Sequence, residues 1–195
     1  RDTNPELGKR DIFNFTDVHS CGTDTAESVP CMFSHLGRAH FSRSKAKQYE
    51  NLLDVLQHTQ VSVLWKENDG GCKDVCSRVS TIEINPSDYP SLCDKQTCHD
   101  EVMLENLKAE VASMQGDKLV AFHLIGSHGP TYFKRYPEEF RHFMPDCPRS
   151  DIENCTDQEL ENTYDNTIRY TDHVIAQLIE RLKQYESNYN TALIY

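Results

Sequence analysis

Apolar residues are spaced so as to predict elements over most of the chain. Lys118-Leu-Val-Ala-Phe-His-Leu-Ile-Gly126 is apolar at seven of nine positions, glycine included. That run reads as a buried strand of a parallel sheet, and Gly126-Ser-His-Gly-Pro130 breaks it sharply. Val61-Ser-Val-Leu-Trp65 reads as a second, shorter strand. Residues 11–19, Asp-Ile-Phe-Asn-Phe-Thr-Asp-Val-His, alternate as a strand does. Helical spacing takes over at 45–58, where Tyr49, Leu52, Leu53 and Leu56 share a face. It recurs at 101–114 through Leu104, Leu107, Val111 and Met114, with Gly116 where a C-terminal cap belongs. The longest helix is predicted over about 157–186, with a buried stripe of Tyr164, Ile168, Ile175, Leu178, Ile179 and Leu182. Residues 66–100 and 131–156 are polar excursions. Strand and helix therefore alternate, which predicts an α/β fold with a largely parallel sheet. Such folds bind ligands beyond the carboxyl ends of their strands. The loops holding Thr25 and His128 both follow predicted strands and are expected to meet at one edge.

Composition narrows this picture. The 195 residues suit one domain with one core. The formal charge is -11 and no dense Lys/Arg run occurs, which argues against nucleic-acid binding. No apolar run is long enough to cross a membrane. The chain starts in a polar stretch at Arg1 and stops at Thr191-Ala-Leu-Ile-Tyr195, which reads as a strand cut short, so an internal fragment is expected. Eight cysteines fall into four close pairs: Cys21/Cys31, Cys72/Cys76, Cys93/Cys98 and Cys147/Cys155. Nearest-neighbour disulfides are the economical pairing, each contributing roughly 2–3 kcal/mol by restricting the unfolded chain. They imply an oxidising compartment. The rival, a zinc site from Cys72, Cys76, Cys93 and Cys98, has loose spacing and leaves two pairs unexplained.

Three hydroxyls, Thr23, Thr25 and Ser28, sit between Cys21 and Cys31, just ahead of Met32-Phe-Ser-His-Leu36. A hydroxyl at a helix start faces unpaired N–H groups, which suits a nucleophile that picks up a phosphoryl group. The same residues suit a plain helix cap, and spacing does not choose among them. His128 follows a strand and is a candidate to donate a hydrogen bond to a phosphate oxygen or to act as a general acid. Asn68 and Lys73, in the loop after Trp65, are candidates for polar substrate groups. Asp172 and His173 look like metal ligands, yet inside the long helix they read as a solvated face. Asn14-Phe-Thr16 and Asn154-Cys-Thr156 match the short glycosylation pattern.

Ser20-Cys-Gly-Thr-Asp-Thr-Ala-Glu-Ser-Val-Pro-Cys-Met-Phe-Ser34 resembles the nucleophile motif of the lipid A phosphoethanolamine transferases, the polymyxin-resistance family. Tyr49-Glu-Asn-Leu-Leu-Asp54, Leu64-Trp-Lys-Glu-Asn68, Gly126-Ser-His-Gly-Pro130 with Tyr132-Phe-Lys-Arg-Tyr136, and Tyr164-Asp-Asn-Thr-Ile168 resemble it in the same order. The resemblance implies an α/β/α sandwich of the alkaline phosphatase/sulfatase type, incomplete at both ends, with residues 1–195 a partial catalytic domain. It implies transfer of phosphoethanolamine from phosphatidylethanolamine to lipid A through a covalent intermediate on Thr25, which would also bind zinc. His128, Asn68 and Lys73 match substrate-site positions. The remaining zinc ligands, a Glu upstream and an Asp-His pair downstream, are expected outside this chain, so the fragment alone is expected to be inactive. The implied location is the periplasmic side of the bacterial inner membrane, the transmembrane part being absent, and a monomer is expected. The alternatives are a related transferase with another glycan acceptor and a non-catalytic, disulfide-braced binding domain.

Overall fold

Val63, Leu64 and Trp65 are three consecutive apolar residues, and a strand so composed has two faces to bury. In the computed structural model, which describes residues 1–195, this strand is β1 (Ser62–Glu67). It lies at the centre of a three-stranded parallel sheet, between β2 (Ser80–Glu83) and β3 (Lys118–His123). Register runs from Ser62 opposite Lys118 to Glu67 opposite His123. The helices are α1 (Thr25–Met32), α2 (Gly37–His40), α3 (Arg43–Ala46), α4 (Leu52–His58), α5 (Leu107–Ser113) and α6 (Asp157–Lys183). The chain divides into two units. Residues 14–85 and 105–124 form the sheet unit; residues 1–13, 86–104 and 125–195 form the other.

In the sheet unit the pleat sends alternate side chains to opposite faces. Val63 and Trp65 pack with Leu53 of α4, Val75 and Cys76, and Val29 and Phe33 close over that cluster. On the other face Lys66 reaches Glu110 of α5, with nitrogen to carboxylate distances of 2.7 and 2.9 Å. Helices thus cover both faces, the predicted α/β/α arrangement. Strand β3 is parallel as predicted but half-buried throughout rather than buried, because it is an edge with a partner on one side only.

Three predicted elements differ. Residues 11–19 form no strand: they have no partner in the sheet, and Phe13 is 96% exposed. The helix predicted over 45–58 breaks into α3 and α4. Asn51 starts α4 afresh, its side chain accepting from Leu53 N and Asp54 N while Asp54 accepts from Asn51 N, a reciprocal cap. Tyr49 is therefore left outside the helix, and Leu52 is exposed while Leu53 is buried. The helix predicted over 101–114 divides into a 3-10 turn (Asp100–Leu104) and α5, separated by Asn106 in the left-handed region. Met114 caps α5 two residues before Gly116.

In the second unit, α6 starts at a cap in which Thr156 and Glu159 bond each other's backbone N–H. Its buried face is not the predicted apolar stripe alone. Ile175 and Leu178 are buried, but Tyr164 is exposed, and Asn162, Thr163, Asn166, Thr167, Thr171 and Asp172 are buried instead. Each meets a backbone or hydroxyl group. Asn166 Oδ1 accepts from His142 N and Phe143 N, Thr163 Oγ1 from Cys147 N, and Asn162 Nδ2 donates to Pro145 O. Asp172, expected on a solvated face, is 1% exposed and accepts from Glu6 N and Leu7 N. His173 packs against Phe140 with the rings tilted, their centroids 4.8 Å apart. All eight cysteines are paired: Cys21–Cys31, Cys72–Cys76, Cys93–Cys98 and Cys147–Cys155. No helix is long and apolar enough to cross a membrane.

Candidate active site

The Cys21–Cys31 bridge ties the entry of α1 to its last turn. Asp24 is the N-cap and accepts from Glu27 N at 2.9 Å. Thr25 is then the first helical residue, half-buried, among the N–H groups that have no partner within the helix. The structure separates the three hydroxyls that spacing left equivalent. Ser28 Oγ donates back to Asp24 O at 3.0 Å, Thr23 precedes the helix and is exposed, and Thr25 stands at the positive end of the helix with its hydroxyl bonded to no other group of the chain. Arg43 of α3 braces this turn, donating to Asp24 at 2.8 Å and to Glu27 at 3.0 Å. Gly22 makes the approach possible: a Cβ there would lie 2.9 Å from Glu27 Cγ.

Asn68 and Lys73 belong to the loop leaving β1, at the carboxyl end of the sheet. Asn68 N continues the ladder by donating to His123 O at 3.0 Å. Glu67, the last residue of β1, is a buried hub. Its carboxylate accepts from Trp65 Nε1 at 2.8 Å and from Asp69 N at 2.6 Å, and it meets His123 Nδ1 at 2.9 Å. His123 Nε2 lies 3.5 Å from Asp69. Burial alone would raise the Glu67 pKa, but the bonds from His123, Trp65 and Asp69 N outweigh it and hold the value at about 2. A carboxyl depressed from an ordinary value near 4.5 stabilises the fold above that value, and the contribution is lost as pH falls toward 2. Glu67→Gln is therefore expected to flatten the dependence of stability on pH between about 4.5 and 2. Urea melts of both forms across that range check it; parallel curves would refute it.

Lys73 lies in a cleft of about 530 Å³ that also contains Ala26, Pro30, Arg43, Lys47 and Arg78. The residue after Thr25 and the Lys73 loop thus share one cleft. His128 is in the second unit. It is exposed, with Nδ1 2.8 Å from Gly129 O. Its loop is braced on each side: Asp100 accepts from Ile125 N and Gly126 N, and Arg135 Nε donates to His128 O at 2.8 Å. A side chain at Gly129 would displace the Tyr132 ring, because a Cβ would stand 2.6 Å from it.

The profile of the sulfatase family matches residues 1–195. The chain belongs to the sulfatase family. It is 43% identical over 195 residues to phosphoethanolamine transferase EptA of Escherichia coli (strain K12), covering all of this chain and 36% of that protein. Among solved structures, it matches the soluble domain of lipooligosaccharide phosphoethanolamine transferase A from Neisseria meningitidis. That match has a TM-score of 0.89 and 42% identity, covering 93% of this chain and 55% of that one. The integral membrane form of the Neisseria enzyme gives a TM-score of 0.91 and 41% identity, covering 95% and 35%. The chain thus spans little more than a third of the length of the curated relatives it matches.

Within this sulfatase-family chain no three His, Cys, Asp or Glu side chains converge as metal ligands. Asp172 is occupied by backbone N–H groups and His173 by ring packing. The residues present do not by themselves hold zinc. Sequence reasoning missed the Glu67 hub and the Arg43 brace. The signal for the first was present: Lys66 and Glu67 are two charges at the end of an apolar strand, where only paired charges survive burial.

Proposed function

We propose that residues 1–195 are a partial sulfatase-like catalytic domain of a transferase. It moves phosphoethanolamine from phosphatidylethanolamine to lipid A, with Thr25 as nucleophile. The observation that carries this reading is Thr25 itself: first residue of α1, half-buried, its hydroxyl without an intramolecular bond. The likeness to enzymes named phosphoethanolamine transferases supports the transferred group. Thr25 Oγ1 attacks the donor phosphorus, and the phosphorus–oxygen bond to diacylglycerol breaks. The hydroxyl proton of Thr25 leaves with the diacylglycerol oxygen. An oxygen of lipid A then attacks the phosphothreonine, its proton passes to Thr25 Oγ1, and the free hydroxyl returns.

In this reading the N–H groups at the start of α1 face the phosphoryl oxygens and stabilise charge there. His128 donates to a phosphate oxygen or, as general acid, protonates the leaving oxygen and takes up the Thr25 proton in exchange, and Asn68 and Lys73 hold polar and anionic parts of the substrates. Zinc, bound at Thr25 with ligands from outside these residues, would favour the threonine alkoxide and stabilise phosphoryl charge. The chain acts as a monomer in the periplasm, beside an inner membrane that a further segment spans, as the integral membrane relative suggests. The test is the intermediate. The full-length protein, given phosphatidylethanolamine vesicles without acceptor, should yield a peptide carrying phosphoethanolamine on Thr25 by tandem mass spectrometry. Modification elsewhere, or none, refutes the reading.

A further inference from the structure

The loop between Gly70 and Cys76 has an uncommon backbone. Gly70 and Gly71 have φ of 71° and 109°, which glycine adopts freely. Lys73 and Asp74 follow at 52° and 73°, and two consecutive side-chain-bearing residues in the left-handed region persist only where the surroundings hold them. What holds them is local. Cys72–Cys76 closes the turn, and Val75 N donates to Cys72 O at 3.0 Å. Asn51 Nδ2 donates to Val75 O at 2.8 Å, and Ser77 Oγ to Asp74 O at 2.8 Å. At the other end, Glu67 receives Asp69 N.

The cations of the cleft differ in one respect. Arg43 is paired with Asp24 and Glu27, Lys47 with Asp74, and Arg78 with Asp54. Lys73 has no carboxylate partner; its ammonium reaches only Gly70 O, at 3.4 Å. The turn therefore presents one uncompensated positive charge in a cleft whose other positive charges are already neutralised.

We infer that the Cys72–Cys76 disulfide is a positioning device for Lys73, holding the left-handed turn that presents its ammonium to an anionic phosphate of a substrate. This rests on the reading of Lys73 as substrate-binding. The phosphate belongs to the donor lipid or to lipid A, and KM measured for each separates the two.

The experiment uses the full-length protein in phosphatidylethanolamine vesicles with lipid A as acceptor. Four forms are compared: native, Lys73→Ala, Cys72→Ser/Cys76→Ser, and the combination. Lys73→Ala and the double serine variant should each raise KM for the same substrate, by about tenfold, with kcat changed far less. The combined variant should be no worse than Lys73→Ala alone, because the disulfide acts through that residue. Losses that multiply overturn the inference and leave the reading of Lys73 standing. An unchanged KM in Lys73→Ala overturns both. If the serine variant does not fold, Ser77→Ala removes the bond from Ser77 Oγ to Asp74 O and loosens the same turn with the disulfide and the cleft charges intact. It should raise KM in the native background and not in Lys73→Ala; equal effects in both also overturn the inference.

Discussion

Thr25→Ala in the full-length protein is expected to abolish modification of lipid A while leaving the fold intact. The size of the effect follows from the chemistry. A covalent route needs an oxygen that can bond phosphorus, and an alanine side chain has none, so the loss should be about 10³-fold or greater. The absence of a fold defect follows from the local structure. The cap belongs to Asp24, the brace to Arg43 and the closure to Cys21–Cys31, none of which touches the Thr25 hydroxyl. Alanine is also the better helix former, so stability should shift by no more than about 0.5 kcal/mol. Mass spectra of lipid A and a thermal melt check the two halves. Residual modification at a substantial fraction of the native level would assign the nucleophile to another hydroxyl, with Thr23 next in line.

Glu110→Ala should produce the largest loss of stability. Lys66 lies mid-sheet, its side chain 1% exposed, and its ammonium is satisfied by both oxygens of Glu110 and by Glu105 O at 3.0 Å. Truncating Glu110 leaves a desolvated ammonium with one carbonyl. Breaking a buried pair in this way costs about 3–5 kcal/mol, which lowers the melting temperature of a chain this size by roughly 6–20 °C. Replacing both partners, as Lys66→Met with Glu110→Leu, removes the uncompensated charge along with the pair and should recover most of the loss. Differential scanning calorimetry decides it. A Glu110→Ala protein that melts with the native one would mean that water reaches Lys66.

The sequence was most legible where one pattern acted alone. Strand β3 and helix α6 were visible in runs long enough to exclude the other period, and the paired cysteines lay close together in the chain. The phase of α4 was obscured because four leucine and tyrosine positions fit a longer helix, while Asn51 and Asp54 are the cap that interrupts it. The strand expected at 11–19 shows the limit of alternation: a period of two describes a surface, and a strand also needs a neighbour. The site was legible only in part. Thr25 emerged from its likeness to a motif, not from spacing, and the structure then distinguished it from Ser28 by a single back-bond. Asp172 was opaque because it bonds the main chain of Glu6 and Leu7, far away in the sequence, and the sequence carries no local trace of such partners; for Glu67 only the His123 partner is distant.

The buried polar face of α6 bears on how this chain can vary. Asn162, Thr163, Asn166 and Asp172 recognise chiefly the main chain of residues 142, 143, 145, 147, 6 and 7, although Asn162 also accepts from the Arg1 and Gln158 side chains. The recognised segments are therefore free to change their side chains while keeping their path. The helix has no such freedom. Inserting or deleting one residue in α6 turns every later position by about 100° and disconnects each address from its segment. Among related sequences, length and identity should diverge in the segments laid against α6, and hold steady in the helix that reads them.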